Sequence, residues 1–223
     1  MAYAVPLLLR GVVIEQDWLD HGGRRGGATF QAPDLGLPQH LQRLPLANPS
    51  AMGELYDLTL DEIVAFLGQL GQRLDPADNP LLQEAFELSR QTSGLSDSIL
   101  RYHYQQIPSY FLPHVVRDIA QRTIGIDYLE GWVQQPPASG YASEAAPPVS
   151  IRAVGSRAVH IIAGNVPVVG VTTVIRNAIT RSDAIIKTPS NDPLTTAAIV
   201  RTMIEMAPDH PLTRHVSVAY WKG

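Results

Sequence analysis

Two short stretches carry side chains that could take part in chemistry. In the first, Gly164-Asn165 separates the apolar run 160–163 from a second apolar run that begins at Val166. The side-chain amide of Asn165 could donate hydrogen bonds to negative charge that develops during a reaction. Asparagine is also among the best N-terminal caps of helices, so capping of the next helix is the structural alternative for Asn165.

The second stretch is Lys187-Thr188-Pro189-Ser190, which follows a short apolar run. A lysine at the end of an apolar strand could hold the ribose or a phosphate of a cofactor. The alternative is a surface lysine whose aliphatic stem lies along apolar surface while its ammonium group stays in water. The residue types alone leave both interpretations open.

The residues after Ser150 predict strands alternating with helices. This order is typical of an α/β fold with a Rossmann-like parallel sheet and crossover helices. Ligands of such sheets bind at the carboxyl ends of the strands, where both stretches are expected to lie. The predicted strands are 151–154, 158–162, 184–187 and 215–221, and the predicted helices are 166–180 and 193–206.

Residues 1–133 predict a mixed, mainly helical region that begins with a β-hairpin. The hairpin is expected over 5–14, with Gly11 as the break between its strands. Residues 20–50 are rich in Gly, Pro, Asp and Asn without clear periodicity, so they predict a long surface loop.

Helices follow this loop. Thr59 and Glu62 form a capping-box sequence, and apolar residues then recur at helical spacing. Asn79-Pro80 predicts the start of a second helix, which Gly94 ends. Two more helices, interrupted at Pro108 and Pro113, are predicted over 96–106 and 113–124.

The Pro-rich segment 134–149 predicts a linker between the first region and a cofactor domain over 150–223. Its position before the first core strand also suits a strand-forming arm, through which two copies of the chain would form a homodimer.

Composition excludes several classes of function. The 223 residues carry a formal net charge of −4, so no basic stripe for nucleic acid is expected. With no cysteine in these residues, disulfides, thiolate zinc sites and a cysteine nucleophile are excluded within them, and no metal site is expected. No apolar run reaches the ~20 residues of a membrane-spanning helix, and no signal peptide is evident, so a cytoplasmic protein is expected.

The stretch AGNVPVVGVTTVIRNAITRSDAIIKTPSNDPLTTAAI, residues 163–199, resembles the cofactor-domain sequence of the aldehyde dehydrogenase superfamily. The Gly-Asn-Val-Pro form, with GSRAVHIIAGNVP before it and SVAYWKG at the end, is similar to the acyl-CoA reductase branch. That branch includes the long-chain fatty acyl-CoA reductases of bacterial bioluminescence. The resemblance is specific over 150–223, covers the N-terminal part of the family pattern only, and implies an incomplete cofactor domain.

The resemblance implies a role for each residue that matches the family pattern. Asn165 matches the asparagine of the oxyanion hole, and Lys187 matches the lysine that contacts the adenosine ribose. Ser190 stands where many NAD-preferring members have a glutamate, whose carboxylate would repel a 2′-phosphate. NADP(H) is therefore the expected cofactor, with NAD(H) as the alternative. The other expected cofactor contacts are Gly164, Thr188 and Pro189.

The resemblance also implies a reaction. A cysteine thiolate would attack an acyl-CoA, CoA would leave, and the acyl-enzyme would be reduced to an aldehyde that is released or passed to an acyl-transfer partner enzyme. The family cysteine lies far downstream of the lysine, so these 223 residues are expected to be inactive alone. Two alternatives stay open: an NAD(P)-dependent aldehyde dehydrogenase, and a non-catalytic module that binds a nucleotide or a partner.

Overall fold

The computed structural model describes residues 3–22, 28–135 and 148–222. Its strands are β1 (Tyr3–Ala4), β2 (Leu7–Leu9), β3 (Val12–Ile14), β4 (Trp18–His21), β5 (Phe30–Pro33), β6 (Val133–Gln135), β7 (Val149–Ile151), β8 (Arg157–Ile161), β9 (Asp183–Lys187) and β10 (Val216–Ala219). Its helices are α1 (Pro38–Leu41), α2 (Gly53–Tyr56), α3 (Leu60–Gln72), α4 (Pro80–Thr92), α5 (Asp97–Tyr110), α6 (Pro113–Thr123), α7 (Ile126–Glu130), α8 (Val168–Ile179), α9 (Thr195–Met206) and α10 (Pro211–Arg214).

The largest sheet has five strands in the order β3-β2-β10-β9-β8. Strands β8, β9 and β10 run parallel, with Ile161 opposite Lys187 and Lys187 opposite Ala219. Helix α8 connects β8 to β9, and α9 and α10 connect β9 to β10. The alternating pattern predicted from the sequence is therefore confirmed for these strands, and their carboxyl ends meet at one edge of the sheet.

The predicted N-terminal hairpin is also confirmed, and it belongs to the same sheet. Arg10 and Gly11 connect β2 to β3 with φ angles of 51° and 83°, the left-handed conformations that a two-residue hairpin turn requires. Strand β2 pairs antiparallel with β10, placing Leu8 opposite Val218. The sheet is consequently mixed, since two antiparallel strands extend the three parallel ones.

The prediction of one long surface loop over 20–50 is wrong in part. Strand β5 lies within it and pairs with β1 and β4 in a three-stranded sheet. Phe30 of β5 is fully buried and packs edge-on against Tyr220, with ring centroids 4.8 Å apart. This burial depends on a residue almost 200 positions away, so local composition gave no sign of it.

The helical region follows the predicted caps. Thr59 and Glu62 form the reciprocal capping box at the start of α3, with the Thr59 N–H 2.7 Å from the Glu62 carboxylate. Asn79 caps α4 by accepting a hydrogen bond from the Leu82 N–H. Helix α5 continues through Pro108 to Tyr110, beyond the predicted end at 106.

Packing explains why α5 continues. Ile107 and Phe111, on either side of Pro108, are both almost fully buried. Their burial stabilises a last turn that the proline disfavours. Both belong to a hydrophobic core that also includes Ile175 of α8 and Ile186 of β9, so the helices before residue 130 pack on the same core as the parallel strands.

The expected strand over 151–154 is wrong in place and partner. Strand β7 ends at Ile151 and pairs antiparallel with β6, not with the large sheet. Residues 136–147 of the expected linker or arm lie outside the described residues, so the arm and the domain boundary at 150 stay predictions. Among the residues described, no helix is long and apolar enough to cross a membrane.

Candidate functional site

The chain turns away from the sheet at the carboxyl end of β8. The Ile162 N–H still donates to the Lys187 carbonyl oxygen at 3.2 Å, and Gly164-Asn165 then leads to α8. Helix α8 begins at Val168 with Pro167 at its N-cap and without a side-chain cap. The capping alternative for Asn165 is therefore wrong. Asn165 is exposed, and its side chain has no hydrogen-bond partner within residues 3–22, 28–135 and 148–222.

Lys187 ends β9 directly beside this turn. Its ammonium nitrogen lies 5.4 Å from the centroid of the ring of Tyr220, which directly follows the neighbouring strand β10. Tyr220 is itself buried between Phe30 and His21, so a fixed aromatic surface supports the ammonium group. A cation held over an aromatic ring in this way is stabilised by the negative face of the ring.

A cavity of about 460 Å³ lies between the two strand ends. It contains both Asn165 and Lys187, together with Ser190, and no carboxylate is among its lining residues in the described part of the chain. The remaining lining residues are Ile162, Ala163, Gly164, Pro189 and Asn191.

Thr188 is the one expected contact that lies elsewhere. Its side chain is fully buried, and its hydroxyl has no hydrogen-bond partner among the described residues. Its backbone N–H donates to the Ala219 carbonyl oxygen at 3.0 Å. Thr188 thus anchors the end of β9 to β10, while its neighbours face the cavity.

Gly164 and Asn191 bring the two loops into direct contact. The Asn191 side-chain amide donates to the Gly164 carbonyl oxygen. A Cβ atom at Gly164 would overlap the Asn191 side-chain oxygen and lie 2.8 Å from the Pro189 Cβ. The position therefore requires glycine, because the loop after β9 lies against this backbone.

A buried polar cluster lies beneath the loop that follows β9. The Asp192 carboxylate accepts hydrogen bonds from the hydroxyls of Thr195 and Ser89, and Tyr104 contacts both hydroxyls at 2.6 and 3.1 Å. Burial raises the pKa of Asp192 above its ordinary value, although the hydrogen bonds from Thr195 and Ser89 oppose that shift. Burial and the nearby Asp192 raise the pKa of Tyr104 as well.

Neither Asn191 nor this cluster was predicted from the sequence. The one signal was the Asp-Pro-Leu-Thr sequence, in which Asp192 precedes Thr195 by the three positions typical of a helix cap. Ser89 and Tyr104 come from helices about 100 residues earlier, and their approach to Asp192 depends on packing.

A larger cavity, of about 690 Å³, lies between α4 and α5. Phe86, Arg101 and Tyr104 are among its lining residues, and it contains none of the residues expected to act in chemistry. The smaller cavity is the better candidate site, because it lies at the carboxyl ends of parallel strands.

Two curated proteins that are similar to this chain are both named as long-chain acyl-protein thioester reductases. The chain is 33% identical over 167 residues to a long-chain acyl-protein thioester reductase of Aliivibrio fischeri, an alignment that covers 74% of this chain and 33% of that protein. It is 28% identical over 242 residues to long-chain acyl-protein thioester reductase 2 of Photobacterium leiognathi, an alignment that covers 99% of this chain and 44% of that protein. The chain thus spans less than half the length of these relatives.

Solved structures with a similar fold include aldehyde dehydrogenases and an enzyme described as NADP-dependent. Lactaldehyde dehydrogenase of Escherichia coli superimposes with a TM-score of 0.71 at 14% identity, covering 100% of this chain and 43% of that one. An NADP-dependent enzyme of Escherichia coli superimposes with a TM-score of 0.69 at 13% identity, covering 99% of this chain and 43% of that one. These likenesses establish an aldehyde dehydrogenase-type α/β fold. The family described as acyl-CoA reductase (LuxC) matches residues 55–223, about three quarters of the sequence, and the chain belongs to that family.

Proposed function

We propose that this chain supplies the cofactor-binding surface and the oxyanion donor of an NADP(H)-dependent reductase of long-chain acyl thioesters. The main support is the cavity that places Asn165 and Lys187 together at the ends of β8 and β9. An amide donor and a fixed cation at this edge suit a reaction in which negative charge develops beside a bound dinucleotide.

The residues of the cavity fit a nicotinamide dinucleotide. Lys187 offers an ammonium group to a ribose or phosphate, and Ser190 offers a hydroxyl without negative charge. Because no described lining residue is acidic, a 2′-phosphate would meet no repulsion there, which favours NADP(H) over NAD(H). When bound, the dinucleotide supplies the two electrons that reduce the acyl group to an aldehyde.

Asn165 would act at the acyl carbon. A thiolate attacks the thioester carbonyl, the carbonyl oxygen gains negative charge, and the Asn165 amide donates a hydrogen bond to it. The tetrahedral species then collapses and expels the thiolate of CoA or of an acyl-carrying protein, leaving a new acyl thioester on the enzyme. Since the 223 residues contain no cysteine, the attacking thiolate comes from outside them.

Cofactor binding is the first test. NADPH and NADH are titrated into the 223-residue chain while nicotinamide fluorescence is recorded. We expect NADPH to bind more tightly, and Lys187→Ala to weaken its binding by about 10-fold, the loss of one charge-assisted contact. The matched control is Lys222→Ala, which removes the only other lysine, at an exposed position. Equal effects of the two variants would contradict the assigned role of Lys187.

The substrate is tested in the enzyme that contains this chain and a nucleophilic cysteine. Aldehyde formation is measured with a long-chain acyl-CoA and with the same acyl group on a protein thioester. Asn165→Ala should lower kcat by about 10²–10³-fold, the cost of losing one oxyanion donor. Aldehyde oxidation without thioester reduction would support the aldehyde dehydrogenase alternative, and NADPH binding without either reaction would support the binding module.

A further inference from the structure

We infer that Asn191 is a positioning residue that sets the orientation of Asn165, an inference that rests on the function proposed above. Asn191 follows Ser190 in the loop after β9, whereas Asn165 lies in the turn after β8. The Asn191 side-chain amide donates to the Gly164 carbonyl oxygen and so joins the two loops.

The carbonyl that accepts this hydrogen bond belongs to the peptide group shared by Gly164 and Asn165. A peptide group is planar, so a bond that fixes its oxygen also fixes the nitrogen and Cα of Asn165. Asn165 is exposed, and its side chain has no hydrogen-bond partner in the described part of the chain. The direction of its Cα–Cβ bond, from which the amide projects, is therefore set through its backbone.

The contact leaves little freedom for the turn. A Cβ at Gly164 would overlap the Asn191 side-chain oxygen and approach the Pro189 Cβ to 2.8 Å. The backbone of the turn after β8 is thus in direct contact with the loop after β9. A shift of Asn191 would be transmitted to Gly164 directly.

The backbone of Asn191 is itself fixed by hydrogen bonds to neighbouring helices. Its carbonyl oxygen accepts a hydrogen bond of 3.0 Å from the hydroxyl of Thr92, a mostly buried residue in the last turn of α4. The next residue, Asp192, is buried and bonded to Thr195 of α9 and Ser89 of α4. Asn191 therefore projects from a backbone that two helices fix, and can hold a neighbouring loop in place.

The decisive variant is Asn191→Asp, which keeps the size of the side chain but removes its donor. In the enzyme that contains this chain and a nucleophile, we expect kcat to fall by about 10–100-fold. The reason is that a small misplacement of a group that acts on the reacting atoms lowers the rate by about this factor. The new carboxylate also lines the cavity and should raise the KM for NADPH by repulsion, so Asn191→Leu, which removes the donor without adding charge, is measured beside it. Asn191→Leu should lower kcat to a similar extent and change the KM for NADPH less than about twofold. The matched control is Asn48→Asp, which retains the acceptor of its own cap and should leave kcat unchanged.

A double-mutant cycle tests whether Asn191 acts through Asn165. Once Asn165→Ala has removed the oxyanion donor, Asn191→Asp should lower kcat no further. Losses that multiply in the double variant would overturn the inference, as would a loss of NADPH affinity with normal kcat. If Asn165→Ala alone leaves kcat unchanged, the proposed function fails instead.

Hydrogen exchange gives a measurement that needs no activity. In the 223-residue chain, Asn191→Asp should speed amide exchange over 162–168 by about 10-fold while the urea midpoint of unfolding stays the same. Gly164→Ala, which would displace the Asn191 side chain, should reproduce the faster exchange if Asn191→Asp folds poorly. Unchanged exchange in a folded variant would show that Asn191 does not hold the turn.

Discussion

The Lys187 ammonium lies over the ring of Tyr220, with Nζ 5.4 Å from the ring centroid. Lys187 ends β9 and Tyr220 directly follows the neighbouring strand β10, and Phe30 of the N-terminal sheet packs edge-on against the Tyr220 ring. The position of the lysine thus depends on residues from the first and the last parts of the sequence.

Tyr220→Leu tests the importance of this contact. Removing the aromatic face should weaken NADPH binding by about 3–10-fold, since a cation–π contact contributes about 1 kcal/mol. The measurement is the Kd from nicotinamide fluorescence, with the thermal midpoint as a check on folding. Tyr102→Leu, at a ring that is 61% exposed, is the control and should leave the Kd unchanged. A Tyr220→Leu chain that is folded and binds normally would show that Lys187 needs no aromatic support.

Ser190→Glu tests the basis of cofactor choice. A carboxylate beside Lys187 would repel a 2′-phosphate and could accept hydrogen bonds from ribose hydroxyls. We expect the Kd for NADPH to rise by at least 10-fold while NADH binding is kept or improved. Ser190→Ala is the control, because it removes the hydroxyl without adding charge. If NADPH affinity survives in Ser190→Glu, Ser190 does not lie near the 2′-phosphate.

Asp183→Asn should destabilise the fold and change its response to acid. Asp183 is 3% exposed, with its carboxylate 3.0 Å from Nη2 of Arg10 and 3.0 Å from Nδ1 of His215. Burial favours the protonated form, but the hydrogen bonds from His215 and Arg10 prevail and hold the pKa of Asp183 below its ordinary value. Its stabilisation is therefore present above about pH 4 and lost as pH falls through the lowered pKa.

The variant leaves Arg10 and His215 without their shared carboxylate, which should cost about 3–5 kcal/mol at pH 7. Urea unfolding at pH 7 and near pH 3 measures the effect, and the difference between the wild-type chain and Asp183→Asn should shrink at the lower pH. Asp118→Asn, in an exposed ion pair with Arg122, is the control. A difference that does not depend on pH would assign the loss to packing rather than charge.

Thr59→Ala tests the capping box of α3. The Thr59 hydroxyl is 3.2 Å from the Glu62 N–H, and its removal should cost about 1 kcal/mol of unfolding free energy. Ser96→Ala is the matched control, because Ser96 occupies the N-cap position of α5 without making a side-chain cap bond. Urea unfolding of both variants should show a loss for Thr59→Ala alone. Equal losses would mean that the hydroxyl at Thr59 contributes no specific cap.

The sequence allowed the local features of this fold to be predicted. The caps at Thr59 and Asn79 depend on side chains within three residues of the backbone groups they satisfy. The hairpin around Gly11 depends on two residues in left-handed conformations. Strands β8 to β10 were also predictable, because apolar runs separated by amphipathic helices have few arrangements other than a parallel sheet.

Long-range contacts could not be predicted in the same way. Strand β5 within 20–50 depends on Phe30 packing against Tyr220, and the last turn of α5 depends on the burial of Ile107 and Phe111. No periodic pattern in either segment indicates contacts with residues so distant in sequence. Turn-forming residues therefore predicted a loop in one place, and a proline predicted a helix end in the other.

For the candidate site, the sequence by itself determined which groups stand at the ends of β8 and β9: an amide at Asn165, an ammonium at Lys187 and a hydroxyl at Ser190. Only the tertiary structure decided that Lys187 rests on Tyr220, that Thr188 faces inward, and that Asn191 binds the Gly164 carbonyl. The reason is physical. A residue's type and its place at a strand end are local properties, whereas the direction and support of its side chain depend on neighbours that packing brings from distant parts of the chain.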